Sequence, residues 1–259
     1  MQPEPKKGLG QNFLVNLRIR HQIVSSCAFA PSDTVLEIGA GRGELTCIYA
    51  KLVKKVYAFE LDKGLCEILK ERLKLQPNLK IIPKDALSVS WKRYFEGEKI
   101  KIIGNIPYYL STPIIQKTIE SRQIVKEAFF TLQKEFAKRL VADKGGKEFG
   151  SLSCFVQYYS QPKILFFIAR GNFWPVPKVD SAFVRIDLSS GFGEKANDEA
   201  RLFRIIRHCF QQRRKTLRNS LKGIVSPSRL NTFFTRYKID SNVRAENLSL
   251  LGFVRLSNI

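Results

Sequence analysis

Histidine, cysteine pairs, long apolar runs and acidic charge are all in short supply in this chain. Two histidines, His21 and His208, occur in 259 residues. That weighs against a hydrolase triad and against a histidine-rich metal centre. Cys27, Cys47, Cys66, Cys154 and Cys209 are odd in number, scattered, and contain no C-x-x-C pair. Reduced thiols in a reducing compartment are expected, with no zinc and no other metal. No run of about 18 apolar residues is present, so no membrane span is expected. Met1 to Gly10 is polar and lacks the apolar stretch of a secretion signal, and a cytoplasmic location is expected. There is no G-x-x-x-x-G-K-[ST], which argues against a P-loop, and no internal repeat. The acidic deficit is the largest imbalance. Asp and Glu number 23 against 44 Lys and Arg, a net charge of +21. Such an excess points to a polyanionic partner, most simply nucleic acid, with a merely well-solvated surface as the alternative.

Length and patterning predict one α/β domain over 1–190 and a small helical domain over 197–259. A first helix is expected over His21 to Ala30. Short β-rich runs then alternate with helical ones. Strands are expected at Thr34–Ile38, Val56–Glu60, Leu79–Pro83, Ile100–Gly104 and Ala128–Gln133. Helices are expected at Glu44–Leu52, Lys63–Leu75 and Pro113–Ser121. This alternation means a parallel sheet covered on both faces. Lys163–Ile168 and Ala182–Leu188 lack a long helix between them and suggest an antiparallel hairpin at one edge. Beyond 197 the apolar positions Leu202, Ile205, Ile206, Cys209, Phe210, Leu217 and Leu221 recur at helical spacing. That stretch holds 13 Lys and Arg against 4 Asp and Glu, with Arg213, Arg214, Lys215 and Arg218 clustered.

Three strand ends carry chemistry. Glu37-Ile38-Gly39-Ala40-Gly41-Arg42-Gly43 follows the first strand, and its glycines let backbone approach a ligand closely. The spacing is G-x-G-x-G, not the G-x-G-x-x-G suited to a dinucleotide pyrophosphate. Glu60 ends the second strand, 21 residues after Gly39. A carboxylate there can accept bonds from both ribose hydroxyls, and Asp85 past the third strand can receive an adenine amino group. A helix cap for Glu60 and a loop carboxylate for Asp85 are the plainer alternatives. Asn105-Ile106-Pro107-Tyr108 follows the fourth strand. It suits methylation of an amino group conjugated to an aromatic ring: Asn105 and a carbonyl of Ile106 or Pro107 accept the N–H bonds, and Tyr108 stacks. A capped strand-to-helix turn fits the same four residues. NAD is the competing cofactor, but the glycine spacing and Asn105–Tyr108 favour S-adenosylmethionine.

Taken in order, these segments resemble the ribosomal RNA adenine N6-methyltransferases, both the small-subunit dimethyltransferases and the macrolide-resistance enzymes. The resemblance covers nearly the whole chain. Gly8-Leu9-Gly10-Gln11-Asn12-Phe13-Leu14 is similar to the segment that covers the cofactor. Glu37 to Gly43, Glu60-Leu61-Asp62, Asp85-Ala86, Gly104 to Pro113 and Gln133-Lys134-Glu135 follow in family order. Phe173-Trp174-Pro175-Val176-Pro177-Lys178-Val179-Asp180-Ser181 is similar to the family's late loop. Phe210 to Leu221 and Arg244-Ala245-Glu246-Asn247-Leu248 resemble the small-subunit branch.

The resemblance implies a Rossmann-like seven-stranded S-adenosylmethionine-dependent methyltransferase fold with a helical C-terminal domain. It implies cofactor contacts at Asn12, Leu14, Gly39, Gly41, Glu60, Leu61, Asp85, Ala86 and Asn105. It implies that Asn105, Ile106, Pro107, Tyr108 and Phe173 handle the base. Arg213, Arg214, Lys215 and Arg218 are expected to bind RNA. The implied reaction dimethylates N6 of two adjacent adenosines near the 3′ end of small-subunit rRNA. An assembling 30S subunit as substrate and a monomeric protein are expected. Four positions depart from the family pattern. Tyr109 stands in place of Asn, Ala40 in place of Pro, Trp174 is bulkier than usual, and Ser151 replaces a basic residue.

Overall fold

A computed structural model describes residues 5, 6, 8, 10–95 and 97–259. Part of the arm expected over 1–10, including Leu9, lies outside the described residues. Contacts divide the chain into two compact units. One comprises 1–137 with 162–189, the other 138–161 with 190–259. Domains over 1–190 and 197–259 were expected; the contact division groups 138–161 with the C-terminal residues.

The first unit is built on a seven-stranded sheet. Its strands are β2 (Thr34–Ile38), β3 (Lys55–Phe59), β4 (Leu79–Ile82), β5 (Ile100–Asn105), β6 (Val125–Gln133), β7 (Gln161–Ile168) and β9 (Ser181–Asp187). Their order is β4-β3-β2-β5-β6-β9-β7. β2 is parallel to β3 and β5, β3 to β4, and β5 to β6. β9 is antiparallel to β6, and β7 and β9 are neighbours at that end of the sheet. All five residues of β2 are buried, as a strand covered on both faces requires. The chain winds outward from β2 in one direction and returns through β5 in the other. A crevice therefore opens between the carboxyl ends of β2 and β5.

Helices α1 (Leu17–Ser26), α2 (Thr46–Tyr49), α3 (Lys63–Arg72) and α4 (Ser111–Glu120) belong to this unit. α1 starts four residues before the expected His21, because Asn16 caps it by accepting from the backbone N–H of Arg18 and Ile19. It stops at Ser26, and Ala28 has a positive φ of 44°. Asp62 caps α3 in the same way through the Gly64 N–H. The helix expected over Glu44–Leu52 is shorter, α2 passing into a 3₁₀ turn at Ala50–Leu52.

Two features were not legible as patterns. β1 (Phe13–Leu14) pairs antiparallel with β8 (Phe173–Trp174) in a separate two-stranded sheet. Two-residue strands leave no periodicity to detect. The run read as apolar, Ile100–Gly104, holds Lys101, which is only 6% exposed. Its ammonium lies 3.0 Å from Asp33 and 3.5 Å from Glu127 and donates to the Ala28 carbonyl at 2.9 Å. Arg185 pairs with Glu127 and with Asp187, so β5, β6 and β9 share one chain of compensated charges.

In the second unit, α6 (Ser151–Tyr159), α7 (Glu199–Gln211), α8 (Leu217–Ser220), α9 (Pro227–Tyr237) and α10 (Leu250–Ser257) surround their own core. Cys154 and Tyr158 of α6 are buried with Leu202, Ile206 and Cys209 of α7 and with Phe253 of α10. That shared core explains why α6 groups with the C-terminal residues. α5 (Lys134–Val141) spans the division between the units.

Among the described residues, no helix is long and apolar enough to cross a membrane, and no cluster of His, Cys, Asp and Glu could hold a metal ion.

Candidate active site

The crevice between β2 and β5 deepens into a cavity of about 310 Å³. Every residue expected to meet cofactor or base lines it. Asn12 and Leu14 come from the N-terminal segment, and Gly39 and Gly41 from the turn after β2. Glu60 and Leu61 follow β3, and Asp85 and Ala86 follow β4. Asn105, Ile106, Pro107 and Tyr108 close β5, and Phe173 enters from β8.

The turn after β2 needs its glycines. Gly39, Gly41 and Gly43 have φ of 71°, 61° and 80°, where a side chain is strained. A Cβ on Gly39 would meet nothing within 4 Å, so this backbone faces open space. A Cβ on Gly43 would come within 2.6 Å of Leu69 Cδ1. The first glycine thus leaves room for a ligand, and the third lets the turn pack on α3.

Glu60 is 7% exposed. It accepts from the backbone N–H of Gly41 and of Asp62, each at 2.8 Å. Burial pushes its carboxyl above the usual range, and these two bonds oppose the rise. The Leu61 backbone also interacts with this carboxylate, which lies in the cavity wall. Asp85 is exposed and accepts from the Leu87 N–H at 2.8 Å.

At the end of β5, Gly104 is required by close packing. A Cβ there would come within 2.6 Å of Ile106 Cδ1 and 2.9 Å of the Ile38 carbonyl. Asn105 donates its amide Nδ2 to the Asn12 carbonyl at 2.7 Å. A carbonyl can only accept, so this bond fixes which way the amide points and leaves Oδ1 as an acceptor. The Pro107 carbonyl already accepts from Leu110 N–H at 2.9 Å. The half-buried Tyr108 shares a 2.9 Å bond between its hydroxyl and Ser181 Oγ, which holds its ring. Phe173 is 2% exposed and belongs to the core as well as to the cavity wall.

The N-terminal segment crosses this crevice. Lys6 pairs with Asp62 at 2.8 Å after β3, and Asn12 meets Asn105 at the end of β5. β1 then pairs with β8 beyond. Arg42 lies 4.1 Å from the Phe13 ring centre and 5.4 Å from that of Trp174, so the bulky Trp174 covers an arginine of the glycine turn.

Sequence reasoning assigned no role to Glu37, which also lines the cavity. It is buried and accepts from the hydroxyls of Thr46 at 2.6 Å and Tyr49 at 2.9 Å. Burial pushes its carboxyl up to about 7, against the pull of both bonds. A carboxylate inside an otherwise apolar strand was the available signal. Gly10 and Tyr109 line the cavity too.

Arg213, Arg214, Lys215 and Arg218 lie in the second unit. The first three sit in the turn between α7 and α8, not on a helix face. Arg213 is half-buried over Phe210, whereas Arg214, Lys215 and Arg218 are exposed. Arg218 also donates to Asn231 Oδ1 at 2.9 Å.

The family model for ribosomal RNA adenine dimethylase matches residues 4–259. A ribosomal RNA small subunit methyltransferase A from Clostridium botulinum (strain Langeland) is 39% identical over 254 residues, covering 97% of this chain and 92% of its own. One of the same name from Actinobacillus pleuropneumoniae serotype 5b is 39% identical over 259 residues, covering 98% and 88%. The crystal structure of a dimethyladenosine transferase from Plasmodium falciparum superimposes with a TM-score of 0.77 at 27% identity, covering 94% of this chain and 95% of that one. The fold is also that of a 23S rRNA methyltransferase, ErmE, with a TM-score of 0.79 at 23% identity over 95% and 98% of the two chains. The chain belongs to the ribosomal RNA adenine dimethylase family.

Proposed function

We infer that this chain transfers methyl groups to N6 of two adjacent adenosines near the 3′ end of small-subunit rRNA, two on each, with S-adenosylmethionine as donor. One observation carries the reading. A single cavity at the switch point of the sheet joins an open glycine turn, a buried ribose-type carboxylate and a neutral amide beside an aromatic ring. The residues fit the cofactor. Gly39 leaves backbone open, Glu60 lines the cavity with a carboxylate able to accept from the ribose hydroxyls, and Asp85 is exposed to receive the adenine amino group. When bound, S-adenosylmethionine supplies a methyl group made electrophilic by its sulfonium.

The target adenosine must leave its stack to reach this depth. Tyr108, held by Ser181, offers the larger open face for stacking, because Phe173 is mostly covered. Asn105 Oδ1 accepts one N6 hydrogen. The Ile106 carbonyl is the better acceptor for the second, since the Pro107 carbonyl is engaged by Leu110. Two acceptors that draw the N–H bonds out of the ring plane take the nitrogen lone pair out of conjugation for attack. The nitrogen becomes acidic only as its new bond forms, so no base is needed before attack. Catalysis is then positioning and fixed electrostatics. The protein acts as a monomer, without a metal ion, on rRNA in an assembling small subunit. Its helical unit contributes phosphate contacts through Arg213, Arg214, Lys215 and Arg218.

Asn105→Ala tests the clamp. Single-turnover methylation is expected to fall by about 10²- to 10³-fold, the scale for losing one preorganised group. Affinity for S-adenosylmethionine is expected to weaken only about fivefold, since the bond to Asn12 is worth roughly 1 kcal/mol. Equal losses of binding and methylation would assign Asn105 to the cofactor instead.

A further inference from the structure

Tyr109 follows Tyr108 directly but sits differently. It is 61% exposed and lines the cavity at its rim. Its ring packs on the N-terminal segment. A Cβ on Gly10 would come within 3.1 Å of Tyr109 Cε1 and 3.3 Å of Cδ1, and 3.5 Å from the Pro107 Cβ. Gly10 also has φ of +60°. A bare, left-handed glycine is what allows the segment to turn against this ring.

On the β3 side the segment is held by Lys6 and Asp62 at 2.8 Å, and by the Lys6 N–H to Gln11 Oε1 at 2.8 Å. On the β5 side it is held by Asn105 to the Asn12 carbonyl at 2.7 Å, and Asn12 Nδ2 turns back to the Gly10 carbonyl at 3.2 Å. The Tyr109 ring lies beside that second anchor, against Gly10.

We propose that Tyr109 is a positioning residue, a latch that seats the Gly10–Asn12 strap over the cofactor cavity and sets how fast the cofactor is exchanged. This rests on the reading that S-adenosylmethionine fills the cavity. Dimethylating two adenosines takes four methyl groups, so spent cofactor must leave and fresh cofactor enter between transfers. The strap crosses the cavity and must lift each time. A ring held by edge contact, with no hydrogen bond through its hydroxyl needed, resists lifting without blocking it. The latch acts on cofactor residence, whereas Asn105 acts on the transfer itself.

The test compares Tyr109→Ala and Tyr109→Phe with the wild type. Equilibrium binding of S-adenosylmethionine and of S-adenosylhomocysteine, steady-state methylation, and hydrogen exchange at the amides of Gly10 to Leu14 are measured. Tyr109→Ala is expected to raise Kd and KM for the cofactor roughly 2- to 10-fold, as removing one ring's packing implies. It should also speed exchange across the strap while leaving single-turnover methylation at saturating cofactor within about twofold of wild type. Tyr109→Phe should behave as wild type, because the ring touches the strap through its carbons. Unchanged Kd and unchanged exchange in Tyr109→Ala would overturn the latch. So would a Tyr109→Phe variant as impaired as Tyr109→Ala, or an effect confined to KM for RNA. Glu60→Gln serves as the control for the cavity. If wild type binds the cofactor and Glu60→Gln does not weaken it, the underlying site reading fails and the latch with it. If Glu60→Gln weakens binding and Tyr109→Ala does not, the latch alone fails.

Discussion

Asn105 is tied through its amide to Asn12, and Tyr108 through its hydroxyl to Ser181. Neither group titrates near neutrality: an amide has no proton to lose there, and burial pushes the Tyr108 phenol above its usual range. The clamp itself should therefore give kcat no pH dependence from about pH 8 to 9, above the value of about 7 to which burial lifts the cavity's Glu37. Glu60 behaves differently. Its acid form is favoured by burial, and a protonated carboxyl has less acceptor capacity for the ribose. KM for the cofactor should therefore rise on acidification at a higher pH than an ordinary carboxylate would cause. A bell-shaped kcat profile centred on one side-chain pKa would contradict a clamp made of neutral groups. The residues at the strand ends were legible because each sits in a short contiguous segment whose chemistry stands out. Gly39, Glu60, Asp85 and Asn105 were found in that way. The packing of Gly10 against Tyr109 was not, because only the folded chain brings these two positions together.

Strand β2 carries both the glycine turn at its end and Glu37 within it, and Glu37 ties the strand to α2 through Thr46 and Tyr49. Its folded-state pKa, pushed up to about 7 from 4.5, means the folded protein binds a proton that the unfolded chain releases between those values. The corresponding stability is fully present below about pH 4.5 and is lost as pH rises through about 7. Urea titrations of Glu37→Gln against wild type, across that window, should show the difference in stability shifting towards the variant by an order of 3 kcal/mol as pH rises. A constant difference would show that Glu37 titrates at its ordinary value. Strand β5 offers a second test. Gly104→Ala places a methyl group against Ile38 and Ile106, and overpacking of this kind costs about 1–3 kcal/mol. The variant should lose stability and, because Asn105 is next in the chain, methylation as well. Most strand positions, and the neighbouring pair β7 and β9 at one edge, followed from short β-rich runs, whereas the strand order comes from the folded sheet. β1, β8 and the buried Lys101 did not. The first two are too short to have a period, and a lone lysine in an apolar run shows its partners only when Asp33 and Glu127 are folded beside it.

Charge is the property that belongs to the molecule as a whole. A net +21 predicts RNA affinity that falls steeply with salt. Replacing the exposed Arg214, Lys215 and Arg218 together with Ala should weaken RNA binding and reduce the slope of log K against log salt by about 2–3, roughly 0.7–0.9 for each phosphate no longer neutralised. Cofactor binding by the same variant should be unchanged. Arg213, half-buried on Phe210, should contribute less than the other three. The basic character of this segment was plain in its composition, but its placement in a turn was not. Apolar spacing carries smoothly from Leu202 to Leu221, while the helix itself breaks at Gln212 and restarts at the Thr216 cap. The proposed reaction is dimethylation of two neighbouring adenosines of small-subunit rRNA in the cavity at the β2–β5 crevice. The most direct measurement is incorporation of labelled methyl groups into unmodified small subunits, with the modified bases mapped, for wild type and for Asn105→Ala. The expected result is four methyl groups on N6 of two adjacent adenosines near the 3′ end for wild type, and almost none for the variant. Label at other bases, label only in large-subunit rRNA, or undiminished label with Asn105→Ala would contradict it.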